Sequence, residues 1–164
     1  MGGWGAWDAS WLWSLALFAV TIAIHAAGIV FIARAIGRFE DRRRRRGELG
    51  KHNTHELIGV IVAAALGLSL LHAFESMIWA FAYVRLGAFA SPAEATLYSV
   101  DSMTTRGGGP GLALEPMWRM MGATEAGNGM LLFGLSTAFL FSVMQRLWAP
   151  AIREAVERRE NRTS

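Results

Sequence analysis

The chain has 164 residues, enough for one domain, and 53% of them are hydrophobic while only 18% are charged. The charged residues are concentrated in a few segments and leave stretches of membrane-spanning length between them, which excludes an ordinary soluble domain. Cysteine is absent, which excludes disulfides, thiolate metal sites and a thiol nucleophile. The basic residues flank the apolar stretches, so they indicate membrane topology and lipid contacts rather than nucleic-acid binding.

The first apolar segment, residues 9–33, carries no formal charge, and His25 is its only titratable side chain. At about 1.5 Å per residue this segment exceeds the roughly 30 Å hydrocarbon core, so it predicts a membrane-spanning helix. We assign residues 1–38 to a peripheral transmembrane helix and residues 39–56 to a cytoplasmic, arginine-rich loop.

Two further apolar segments predict spanning helices, residues 57–84 with Glu75 as their only formal charge, and residues 127–150. Between them, residues 93–104 have helical spacing but are too short to span, as a half-membrane re-entrant helix would be. We therefore predict an all-α membrane protein with three transmembrane helices and one re-entrant segment.

Residues 104–110 form a glycine-rich stretch, Thr-Thr-Arg-Gly-Gly-Gly-Pro, and a polar turn through Glu125 is expected after it. Irregular backbone at membrane depth survives only where protein or a water-filled cavity surrounds it. A glycine-rich backbone between two spanning helices therefore suits a pore lining.

Positive charge predicts the orientation of the chain in the membrane. Thirteen of the sixteen Lys and Arg residues lie in residues 34–51 or from Arg146 onward. The positive-inside rule places both regions in the cytoplasm and the N-terminus outside, in what we expect to be a bacterial inner (plasma) membrane. The run Arg42–Arg46 is expected to contact anionic lipid headgroups, with partner binding as the alternative, and residues 151–164 form a cytoplasmic tail.

Residues 95–105 read Ala-Thr-Leu-Tyr-Ser-Val-Asp-Ser-Met-Thr-Thr. This run resembles the pore helix of potassium channels, where a similar run leads through Thr-Thr into a Val-Gly-Tyr-Gly-Asp selectivity filter. Trp118-Arg119 stands where a similar aromatic/Arg turn begins the inner helix of that family. Gly129 and Gly134 match glycines that let the inner helix bend.

The resemblance, to a bacterial branch of this superfamily, covers roughly residues 57–149. It implies a pore domain over residues 57–150 with outer, pore and inner helices, and a homotetramer around one axis. It also implies passive conduction of a monovalent ion, K⁺ in the family, with no other cofactor. The implied filter residues are Thr104, Thr105, Arg106, Gly107, Gly108 and Gly109.

The residues at the filter positions of this chain differ from the family pattern. Where the family has Val-Gly-Tyr-Gly-Asp, this chain has Arg-Gly-Gly-Gly-Pro at 106–110. Gly108 replaces the tyrosine that braces the filter from behind, and Pro110 replaces the aspartate that anchors its outer end. Potassium selectivity therefore does not follow from the resemblance.

Arg106 is open to two interpretations, since an arginine at membrane depth is costly unless it is paired. Asp101 lies where some family members place an acidic residue behind the filter, so an Asp101–Arg106 ion pair would support the filter together with Pro110. Alternatively, four arginines ring the axis and favour anions or closure.

His72 and Glu75 lie one helical turn apart, and we predict an inter-helix polar pair there rather than a metal site. His25, His52 and His55 could add ligands, but no His-x-x-x-His spacing recurs in the apolar spans. A proton-sensing role is a further alternative. Ser136 and Thr137 lie beside Gly134 and either line a wet cavity or pack against other helices.

No nucleophile elbow, phosphate-binding loop or dense carboxylate cluster is present, so no enzymatic activity is predicted. The sequence thus predicts a potassium-channel-like pore with an altered filter. The alternatives are a non-conducting membrane scaffold or assembly partner, and a channel of changed selectivity, either non-selective or anion-conducting.

Overall fold

A computed structural model describes residues 4–45, 54–109 and 111–163. These residues are helical throughout, apart from two connections, and include no strand. The elements are α1 (Trp4–Arg45), α2 (Thr54–Arg85), α3 (Pro92–Met103), a 3₁₀ turn (Pro116–Trp118) and α4 (Arg119–Thr163).

Three of these helices are long and apolar enough to cross a membrane, which confirms the prediction of three helices of membrane-spanning length. The candidate spans are Ser10–Arg43, His55–Arg85 and Pro116–Trp148. Large apolar side chains point outward along them, including Leu12, Leu70 and Phe81, each about two-thirds exposed or more. Exposed leucine and phenylalanine of this density suit a hydrocarbon solvent better than water.

Two helix boundaries differ from the sequence-based prediction. Helix α1 continues to Arg45 rather than ending at residue 38, because the charged residues that follow are good helix formers. Helix α4 begins at Arg119, so Glu125 lies within a helix and not in a polar turn. Glu125 tolerates this position because its carboxyl group is buried among hydroxyl donors, as described below.

The contacts divide the chain into two compact units. The first unit comprises the chain up to Gly28 together with Ser69–Gly134, and the second comprises Ile29–Leu68 together with the chain from Leu135. In the second unit, Arg43 pairs with Glu56 at 2.7 Å and Arg146 with Glu40.

The first unit contains α3 and most of the buried aromatic side chains. The Tyr83 and Tyr98 rings meet edge to face with centroids 5.4 Å apart, and Trp79 and Tyr83 are fully buried. Ser91 caps the N-terminus of α3 by accepting a bond from the Glu94 amide at 3.4 Å, and Pro92 occupies the first turn. Both residues are typical of helix starts, so the beginning of α3 is encoded locally.

Candidate functional site

The backbone that leaves α3 turns its amide groups back onto the end of that helix. The Thr105 amide donates to the Ser102 carbonyl at 2.8 Å. The Arg106 and Gly107 amides both donate to the Asp101 carbonyl, at 2.9 and 3.2 Å. These bonds satisfy carbonyl groups that a helix C-terminus otherwise leaves without partners.

The same turn directs three carbonyl groups away from the end of α3. In a trans peptide the carbonyl of one residue points opposite to the amide of the next, and the described chain has no cis peptide bond. The carbonyl oxygens of Thr104, Thr105 and Arg106 therefore point away from the end of α3. Within the described residues none of them accepts a backbone hydrogen bond, and all three residues are exposed.

Two residues with positive φ allow the backbone to make this turn. Thr105 has φ 62° and Gly107 has φ 71°, whereas Thr104 has φ −83°. A left-handed threonine costs roughly 1–2 kcal/mol, which the amide bonds to Asp101 and Ser102 offset. Glycine adopts this conformation freely, so Gly107 needs no such compensation.

The ring of Tyr98 lies directly behind the glycine stretch. A Cβ atom on Gly108 would come within 2.9 Å of two Tyr98 ring carbons and would collide with the Leu112 carbonyl oxygen. Gly107 and Gly109 instead have open space where a side chain would be. Gly108 is thus required for close packing, and the Tyr98 ring from α3 supports the stretch at this position.

The ion pair predicted between Asp101 and Arg106 is present, with Arg106 Nη2 3.4 Å from Asp101 Oδ2. The two partners differ in environment, since the Arg106 side chain is 73% exposed while that of Asp101 is 8% exposed. An exposed pair of this length is worth little in water. A stabilising effect of the pair on residues 104–109 stays a prediction.

A buried carboxyl group joins the three helices of the first unit that surround this stretch. The Tyr83 hydroxyl donates to Glu125 Oε2 at 2.7 Å, and the Ser99 hydroxyl contacts Glu125 Oε1. Ser99 also lies 2.7 Å from the Ser76 carbonyl oxygen, so its single proton serves one acceptor at a time. Sequence reasoning missed this cluster. The available signal was the single charged residue, Glu125, two positions before the apolar run that begins at residue 127.

Helices α3 and α4 approach each other closely at two glycines. A Cβ atom on Gly122 would collide with the Tyr98 hydroxyl, and one on Gly129 would collide with the Met103 carbonyl oxygen. Ser102 adds a hydrogen bond to the Gly122 carbonyl at 3.0 Å. These contacts fix the end of α3, and hence residues 104–109, against α4.

A second polar cluster lies between α1 and α2. Glu75 and His25 are fully buried, and His25 Nδ1 lies 3.0 Å from Glu75 Oε1. His72 Nδ1 lies 3.6 Å from Glu75 Oε2, one turn away on the same helix. The structure thus places Glu75 in an inter-helix contact, with His25 as the partner from the neighbouring helix. These three side chains are the ones that could hold a metal ion among the described residues.

The remaining predicted residues divide between packed and open positions. Ser136 is buried and Thr137 is exposed, while Gly134 has open space around it. Whether these residues line a cavity, and whether α4 bends at Gly129 or Gly134, stay predictions. Pro110 and Arg46 lie outside the described residues.

No protein family, curated protein or solved structure matches the chain.

Proposed function

We propose that this chain is one subunit of a passive ion-conducting pore of the potassium-channel type, and that residues 104–109 line its narrowest part. The observation that carries the proposal is the row of three carbonyl oxygens, from Thr104, Thr105 and Arg106, directed away from the end of α3. Rows of backbone carbonyls replace the water shell of a permeating cation in such filters.

The direction of the peptide groups favours a cation over an anion. An anion site built from backbone requires free amide groups, but the amides of Arg106 and Gly107 already donate to Asp101. The C-terminal end of α3 also carries the partial negative charge of the helix dipole, close to the carbonyl row. Both features favour a cation, and the resemblance to potassium channels supports a monovalent one, with K⁺ as one candidate.

A single chain presents its carbonyl row on one open side, so a cation needs further copies to complete its coordination. Four copies around an axis, as in the family that the sequence resembles, would surround the ion with rings of oxygens. The open space beside Gly107 and Gly109 suits such an axis, because no side chain would obstruct it.

Selectivity among monovalent cations is expected to be weaker than in a Val-Gly-Tyr-Gly-Asp filter. Tyr98 supports Gly108 from behind, but three successive glycines place few steric limits on the backbone conformation. The exposed Arg106 side chain adds one positive charge per subunit close to the carbonyl row, and this charge opposes cation entry.

Ion flux into liposomes tests the proposal. Purified chains, with their tetrameric state verified by native mass spectrometry, are reconstituted, and K⁺, Na⁺ and Cl⁻ fluxes are compared with those of protein-free vesicles. We expect K⁺ and Na⁺ flux without Cl⁻ flux. Cl⁻ flux alone would show that the arginines, not the carbonyls, determine selectivity.

The structure offers a matched pair of variants for the same assay. Gly107 and Gly87 both have positive φ, 71° and 75°, and both have open space where a Cβ would lie. Alanine at either position introduces strain of roughly 1–2 kcal/mol, which corresponds to about a 5–30-fold population shift. Gly107→Ala is expected to lower the flux by about that factor, whereas Gly87→Ala, in the connection after α2, leaves it unchanged. Equal loss in both would contradict a pathway at residues 104–109.

Arg106 keeps a second candidate function open, a non-conducting membrane scaffold built on the same helices. The positive charge of Arg106 in each subunit would then prevent cations from entering along the axis, instead of only weakening selectivity. Verified tetramers that pass none of the three ions would favour the scaffold over the channel.

A further inference from the structure

We infer that His25, His72 and Glu75 form a binding site for a divalent transition-metal ion of the zinc class. One ligand atom from each of the three side chains lies within 4.8 Å of the others. Two imidazoles and one carboxylate are a donor set that Zn²⁺ uses in proteins, with a fourth position left for water. This inference does not rest on the proposed ion conduction.

The spacing of the ligand atoms fits the coordination geometry. Zinc–ligand bonds of about 2.0–2.1 Å in a tetrahedron place neighbouring ligand atoms roughly 3.4 Å apart. One carboxylate oxygen, Glu75 Oε2, lies 3.3 Å from His25 Nδ1 and 3.6 Å from His72 Nδ1, on either side of that value. Small side-chain adjustments would therefore bring all three into coordination.

Local packing holds the three side chains in these positions. His72 and Glu75 are three residues apart on α2, which places them on one face of the helix. The His72 ring stacks on Phe133 with centroids 4.3 Å apart. Gly28 lets α1 approach α2 closely, since a Cβ there would lie 2.5 Å from the Leu71 side chain, and this approach brings His25 to Glu75.

The buried charge of Glu75 and a cavity beside His72 also favour the binding of a cation at this site. Glu75 is fully buried, and a buried carboxylate needs a compensating positive group. His72 lines a cavity of about 270 Å³ together with Ser69, Ser76 and Thr104. This cavity provides an access route, and its hydroxyl groups could hold a water molecule in the fourth coordination position.

Metal content of the purified full-length chain tests the inference. Chelator-treated protein is equilibrated with Zn²⁺ or, separately, Co²⁺, dialysed, and assayed by mass spectrometry, with His55→Ala as the matched control because His55 is exposed and outside the cluster. We expect about one ion per chain in the native and His55→Ala proteins. His25→Ala and Glu75→Gln each remove a direct ligand. Their affinity for the metal ion should therefore fall by more than the roughly 10–100-fold that is lost when a hydrogen-bonding partner of a ligand is removed.

The Co²⁺ absorption spectrum of the native protein is a second readout that does not depend on any variant folding. Tetrahedral nitrogen and oxygen coordination gives strong visible bands, and added Zn²⁺ should abolish them. Absence of bound metal, weak octahedral bands, or equal affinity in His72→Ala and His55→Ala would each overturn the site and leave a hydrogen-bonded pair. A chain that binds Zn²⁺ but passes no ions would contradict only the channel proposal.

Discussion

At the scale of single residues, buried polar groups of the first unit meet in two clusters, around Glu75 and around Glu125, and not singly along the helices. Thr105 adopts positive φ, Gly108 accommodates the Tyr98 ring, and Glu125 is buried with hydroxyl donors. Each of these features is unfavourable in isolation. Together they are compensated by specific neighbours, which is typical of functional sites.

The Tyr83–Glu125 bond gives the first residue-scale prediction. Tyr83→Phe removes one donor from a buried carboxyl group and should lower the free energy of unfolding by about 1–3 kcal/mol. Ser142→Ala is the control, because its hydroxyl is exposed and, among the described residues, donates to the nearby Phe139 carbonyl, and it should change stability by less than about 0.5 kcal/mol. Detergent-induced unfolding followed by circular dichroism measures both, and equal stability of the two variants would exclude a stabilising role for the bond.

At the scale of elements, α3 is the helix that determines the position of residues 104–109, the candidate ion pathway. Its start is encoded by Ser91 and Pro92, and its end is closed by the amides of residues 104–107. The face of α3 that packs against α4 is determined by the close approach of the two helices at Gly122 and Gly129. Orientation of the carbonyl row therefore depends on helix packing as much as on the glycine stretch.

Gly129 and Gly134 of α4 provide the element-scale prediction. Gly129→Ala forces a Cβ onto the Met103 carbonyl and should destabilise the protein by about 1–3 kcal/mol. Gly134→Ala meets open space and should be neutral or slightly stabilising, by up to about 1 kcal/mol, since alanine is the better helix former. Thermal unfolding compares the two. A flux change in Gly134→Ala without a stability change would support a bend there, whereas equal destabilisation would refute the packing difference.

At the scale of the whole molecule, the outward apolar side chains and three long apolar helices are compatible with an integral membrane protein. The orientation remains a prediction from the distribution of Lys and Arg. Because the native chain has no cysteine, single-cysteine variants can report this orientation directly.

We expect Glu115→Cys, in the connection before α4, to react with a membrane-impermeant maleimide on intact cells. His55→Cys, at the start of α2, should react only after the membrane is permeabilised. Both positions are exposed in the structure, so lack of reaction would not reflect burial. The reverse labelling pattern would show that the N-terminus is cytoplasmic.

Much of the architecture follows from the sequence because it depends on local properties. Apolar length predicts the three spans, and residues 93–104 predict a helix whose observed bounds, Pro92–Met103, differ by one residue at each end. The apolar run alone predicted a start at residue 127, eight residues late, because the polar residues before it can extend a helix without being apolar; the observed start at Arg119 is where the resemblance placed it.

The sequence by itself determined the three apolar helices of membrane-spanning length, the short helix between two of them and the glycine stretch after it, since hydrophobic length, capping residues and glycine content act locally. Only the tertiary structure decided which polar groups meet. His25 and Glu75 are 50 residues apart in the chain, and Tyr83 and Glu125 are 42 apart. Such contacts depend on the rotation and register of packed helices, and a nearly uniform apolar surface does not specify either.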